Sequence, residues 1–255
     1  MINLTDNPLL VFGLTFLVLW LSERIGSSLL KRHGNMAEGV RQDFGVILSA
    51  TLTLLGLLIG FTFSMAISRY NQRKNYEQEE ANAIGTEYVR ADLLPSADAA
   101  KVRALLRSYT DQRILLYETG DRQKLLEINA NTARLQSELW SAVRAPAATQ
   151  ATPVVALALS GMNDVLNSQG YTQAAWWDRI PLAAWGMMGA IAICANLLVG
   201  YGTRQAKAER IQRLVLPLVV SISFFLIAEI DSPRGGVIRV RPQNLVSFAQ
   251  SLPAS

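Results

Sequence analysis

"LLGLLIGFTFSMAISRYNQRKNYEQEEANAIG", Leu54–Gly85, starts as membrane-grade apolar sequence and ends as a charged, helix-favouring run. Neither glycine nor proline falls between Phe61 and Ile84, and no proline falls between Phe44 and Leu94. One unbroken helix of about 50 residues would rise ~75 Å, far beyond a ~30 Å hydrocarbon core. The chain is therefore expected to leave the membrane without ending its helix. Such a rod suits two roles: a structural stalk, or a wall shared by a membrane pore and the layer beyond it.

Composition is consistent with that split character. Half of the 255 residues are apolar, 17% are charged, and the formal net charge is +4. That is too apolar for an ordinary soluble domain and too charged for a wholly embedded one. Cys194 is the only cysteine, so no intrachain disulfide can form. His33, the only histidine, sits in a basic connector and reads as a solvated residue, not a metal ligand.

The fold class this predicts is an all-α membrane protein with four transmembrane helices and a helical extramembrane block. Residues 1–68 form a first hairpin with spans at about 7–24 and 44–68. Residues 69–179 form the extramembrane region. Residues 180–230 form a second hairpin with spans at about 181–203 and 211–230, and residues 231–255 form a tail. Pro217 lies inside the fourth span, which a membrane helix tolerates. Trp20, Trp176, Trp177 and Tyr201 read as interfacial aromatics. The first span has its positive charges after its apolar run, so a retained anchor is expected, not a cleaved signal.

Within the extramembrane region, apolar residues recur at helical spacing: Val102, Leu105, Leu106 and Tyr109, then Leu125, Ile128, Leu135 and Leu139. Pro95 should end the long helix, with Ser96 as a cap for the next. "ETGDRQ" reads as a helix–helix turn and "RAPAATQATP", Arg144–Pro153, as a linker. "VVALALSGM", Val154–Met162, is too short to span and should be the buried face of a further helix. The run "RYNQRKNYEQEE" reads as solvated surface with an Arg73–Glu77 pair one turn apart.

The second span has two unlike faces. Gly56 and Gly60 form a small-xxx-small pair suited to close helix packing. Thr53, Leu57 and Phe61 form a ladder at four-residue steps. If symmetry-related copies turned that ladder to a common axis, stacked apolar rings would result, and such rings gate ions by dewetting.

Other classes lack support. No phosphate-binding loop, HExxH, serine elbow or paired cysteines are present, so no enzyme activity, cofactor or metal is expected. The basic residues flank membrane spans, where lipid headgroups account for them without nucleic acid. No ionisable residue lies well inside any of the four stretches as bounded above. Glu229 and Asp231 close the fourth, where an ion-attracting or subunit-interface role competes with a simple anchor.

"GFTFSMAISRYNQ", Gly60–Gln72, resembles the end of the second span in bestrophin channels, where a glycine–phenylalanine pair precedes an arginine by the same interval. "IAEIDSPRGG", Ile227–Gly236, is similar to the exit from their fourth span. The order of elements also agrees over nearly the whole chain, which resembles the bestrophin-like family of bacterial membrane proteins. The resemblance implies a pentameric ion channel in a bacterial inner membrane, its hydrophobic neck at Thr53, Leu57 and Phe61. It also implies homo-oligomeric partners, inorganic ions as cargo, and a cytoplasmic extramembrane block. Here Arg69 precedes Tyr70 and Asn71 where those channels carry two tryptophans. Arg234, Arg239 and Arg241 follow Asp231 where animal bestrophins have an acidic calcium clasp, so calcium gating is not expected.

Orientation and ion choice stay open at this level. Basic residues near the membrane almost tie, with Arg204, Lys207 and Arg213 among those on the connector face and Arg69, Arg73 and Arg179 on the other. Net positive charge favours anions, while Glu77, Glu79, Glu80 and Glu87 favour cations. The alternative to a channel is a non-conducting membrane scaffold or signalling protein whose extramembrane helices recruit a partner.

Overall fold

The computed structural model describes residues 6–33, 38–149, 152–202 and 210–253, and these are mostly helical, with no strand among them. Eight α-helices follow in chain order: α1 Pro8–His33, α2 Glu38–Arg90, α3 Ser96–Glu118, α4 Arg122–Thr149, α5 Pro153–Trp177, α6 Leu182–Gly202, α7 Arg210–Asp231 and α8 Gln243–Ser251. Arg204 and Lys207 lie outside the described residues, as does the side chain of His33.

The expected long rod is present. α2 has 53 residues, and a 3-10 turn at Ala91–Leu93 ends it before Pro95. Ser96 is the first residue of α3 and Pro95 occupies the cap position with no side-chain bond, so the expected serine cap does not form. A proline with extended ψ starts the helix without it. α4 runs through Pro146 to Thr149, so the stretch read as a linker from Arg144 is mostly helix.

Two compact units are present. The first comprises Met1–Arg69 and Arg179–Arg239; two of the four apolar stretches long enough to span a membrane, Pro8–Leu29 and Arg213–Asp231, lie wholly in it. α1 and α6 cross at Gly26 and Gly200. A Cβ on Gly200 would overlap the Glu23 carbonyl, and one on Gly26 the Leu197 carbonyl, so only glycine allows this approach. Phe12 meets Phe225 of α7 edge-on at 6.2 Å, and Trp185 of α6 meets Phe224 at 5.9 Å. α2 joins through Phe44, whose ring lies 5.8 Å from Tyr201.

The second unit comprises Tyr70–Asp178 and Val240–Ser255, so the tail read as 231–255 divides between the two units. Its core is Ile84 of α2, Leu106 and Tyr109 of α3, Leu139 of α4, Met162 of α5 and Leu245 of α8, each fully buried. Each such side chain contributes about 1.5–3 kcal/mol by leaving water. Val155, Ala158 and Met162 supply the buried face of α5, as its short apolar run suggested. Trp176 is buried edge-on against Tyr117 at 5.1 Å, whereas Trp177 is exposed. Only the second of this pair is free for the expected interfacial role.

Candidate functional site

The two faces of α2 differ along its length. Leu55, Thr62 and Ala66 are buried in the first unit; Arg73, Glu77, Glu80, Ile84 and Glu87 are buried in the second. Their spacing of three, four or seven residues keeps them on one side of a helix with 3.6 residues per turn. Thr53, Leu57 and Phe61 fall on the opposite side, together with Ser64, Ser68, Asn71, Asn75, Asn82 and Thr86, and all are exposed.

In the first unit the exposed face is unusually bare. Only 6% of the apolar window of α2 is buried, against 50% for α7. Leu57 is 54% and Phe61 62% exposed, so the chain itself covers neither. Thr53 donates its hydroxyl to the Ser49 carbonyl at 2.8 Å, which satisfies the polar hydrogen within the helix and turns the hydroxyl away from dangling free. Nothing lies within 4 Å of a Cβ built on Gly56 or Gly60. Within one chain these glycines therefore pack against no helix, and the close intrachain crossing belongs to Gly26 and Gly200 instead.

The charged run beyond the membrane is solvated on one side only: Lys74 and Glu79 are exposed, whereas Arg73, Glu77 and Glu80 are buried. Glu77 accepts hydrogen bonds from the Asn244 and Leu245 amides at 2.9 and 3.0 Å and from the Asn244 side chain at 2.6 Å. Arg73 is 2% exposed, and Glu77 serves the start of α8. Glu80 pairs with Arg113 of α3 and accepts from Thr172 of α5 at 3.1 Å. Burial of such charges is sustained only by this density of donors. Burial, deepened by Glu80, pushes the Tyr109 and Tyr117 phenols up. The cause of the misreading is that i,i+4 charge pairs look alike whether a helix face meets water or polar partners from other helices.

Glu87 differs from its neighbours. It is fully buried, neither carboxylate oxygen accepts a hydrogen bond among the described residues, and its carboxyl fills the space left by Gly161 of α5. Burial pushes its pKa up to about 8; Arg90 opposes the shift and Asp164 adds to it.

Glu229 and Asp231 are also turned inward. Glu229 accepts from the Val237 amide at 2.6 Å and the Ile238 amide at 3.4 Å. Asp231 accepts from the Ile180 amide at 3.2 Å, with Arg69 3.9 Å away. Arg179 binds Asp6 at 2.5 Å beside them, and Gly235 packs so tightly on the Asp6 carbonyl that a Cβ would overlap it. These contacts tie the exit of α7 to the entry of α6.

One buried acid escaped the sequence reading. Closing the first span at about residue 24 left Glu23 at its very edge, yet the apolar stretch runs from Pro8 to Leu29, with Glu23 3% exposed and Arg213 3.8 Å away. Its signal was a carboxylate at helical distance from Gly26 in an otherwise apolar stretch. Among the described residues, no cluster of three or more His, Cys, Asp or Glu side chains is placed to hold a metal ion.

Four helices long and apolar enough to cross a membrane define the class: a helical integral membrane protein. The model of the Bestrophin-like domain matches residues 9–245, so the chain belongs to the bestrophin-like family. Among solved structures, it is similar to a point variant of a bacterial bestrophin homolog from Klebsiella pneumoniae, with 14% identity and a TM-score of 0.63 over 93% of this chain and 98% of that one. It is also similar to that homolog solved by zinc phasing, with 14% identity and a TM-score of 0.60 over 96% and 99%. No curated protein matches the chain.

Proposed function

We propose that the protein is an ion channel, formed by a closed ring of identical subunits whose α2 helices face the axis. The observation that carries this reading is the bare face of α2. An apolar helix left uncovered by its own chain is covered by lipid or by copies of itself, and membership of the bestrophin-like family favours copies. Thr53, Leu57 and Phe61 then form the neck, with Leu57 and Phe61 the dry part that opposes ion passage. Gly56 and Gly60 lie at the edge of the same bare face, where the helix of a neighbouring subunit can approach closely. Five subunits, a bacterial inner membrane and a cytoplasmic second unit complete the proposal by family resemblance. Glu229 and Asp231, bonded within the chain, act in it as supports for the α6–α7 junction beneath the subunit interface.

Purified protein in lipid bilayers should carry current. Leu57→Ala and Phe61→Ala, which widen and wet the neck, should raise open-state conductance by about two-fold or more. Unchanged currents would remove the neck assignment. A monomeric mass in detergent and silent bilayers would instead support the non-conducting scaffold.

A further inference from the structure

We infer that Glu79 gives the conduction path a preference for cations over anions. The inference rests on the channel reading above and names the cargo of the same path.

Of the four glutamates that the sequence places on α2 beyond the membrane, three are withdrawn from any ion. Glu77 is spent on the start of α8, Glu80 on Arg113 and Thr172, and Glu87 is buried against Gly161. Glu79 alone is exposed, on the face opposite that buried side. At about 100° per residue it lies roughly 40° from the line through Leu57 and Asn75. Its companions on that face, Asn71, Asn75, Gln78 and Asn82, are exposed and neutral.

Basic side chains on the same helix do not offset it. Arg73 is buried, Lys74 lies about 100° from the line through Leu57 and Asn75, against roughly 40° for Glu79, and Arg90 lays its guanidinium on Gly161 beside Glu87. The net charge of +4 is thus no guide to this face of α2, whose exposed side chains from Asn75 to Asn82 are amides and one carboxylate. Repeated around a ring, that carboxylate becomes a band of negative charge in water, raising local cation concentration and lowering that of anions. Its range is about a Debye length, ~8–10 Å at physiological salt, so the preference is graded and weakens as salt rises.

The test is the reversal potential of reconstituted wild-type protein and of Glu79→Gln under a potassium chloride gradient. Glu127→Gln, an exposed acid on α4, serves as the control. Wild type should favour potassium over chloride, and Glu79→Gln should reduce the permeability ratio about three-fold or more, with Glu127→Gln unchanged. Glu79→Lys should carry the shift further toward chloride. Current with a ratio that ignores both Glu79 variants overturns this inference and leaves the channel reading standing. Absence of current from the wild type overturns both.

Discussion

Glu87 shows how one residue's surroundings fix its chemistry. Its carboxyl fills the space Gly161 leaves and accepts no hydrogen bond among the described residues, with the Arg90 charge only partly opposing the cost of burial. Burial raises its pKa in the fold to about 8, from an unfolded value near 4.5. The folded chain therefore holds this proton over a range in which the unfolded chain releases it. The stabilisation is fully present below about pH 4.5 and is lost as pH rises through 8. Thermal unfolding in detergent should accordingly show a loss of about 2–3 kcal/mol between pH 5 and pH 8 from this group, which Glu87→Gln abolishes. An unaltered pH slope in that variant would show that water reaches the carboxyl. Glu229 behaves in the opposite sense: it is a buried acceptor with two backbone donors, so Glu229→Ala should cost about 1–3 kcal/mol by orphaning the Val237 and Ile238 amides.

At the scale of elements, the glycines separate two kinds of helix contact. Gly26 and Gly200 let α1 and α6 touch backbone to backbone, whereas Gly56 and Gly60 face open space. Gly200→Val should therefore destabilise the monomer fold by about 1–3 kcal/mol, read as a lower melting point. Gly56→Val should leave that melting point nearly unchanged while reducing the oligomer fraction on a sizing column. The long helix, the four spans and the helical second unit were legible because apolar run length and the absence of proline act locally. Which face of α2 is buried was not legible. Glu77 and Glu80 look like surface until Arg113, Thr172 and Asn244, from 33 to 167 residues away, supply their partners. The same blindness hid Glu23, whose partner Arg213 comes from the last span. The four-residue ladder of Thr53, Leu57 and Phe61 was readable as a spacing, but the spacing alone did not show that the chain leaves Leu57 and Phe61 exposed.

For the whole molecule, the account turns on what covers the face bearing Thr53, Leu57 and Phe61. Lipid on that face would make α2 a stalk, and the family's fold would then serve anchoring alone. A ring of copies would convert the same side chains into a neck and the amides beyond it into the lining of a wet passage. Subunit count follows from the mass of the purified complex, and a closed ring is the outcome expected. The most direct measurement replaces Cys194 with serine, introduces Leu57→Cys, and applies a charged, water-soluble thiol reagent while current is recorded across a bilayer. Water beside position 57 lets the reagent react, and the current should fall by half or more. A thiol that stays unmodified behind acyl chains, with current untouched, would contradict the account.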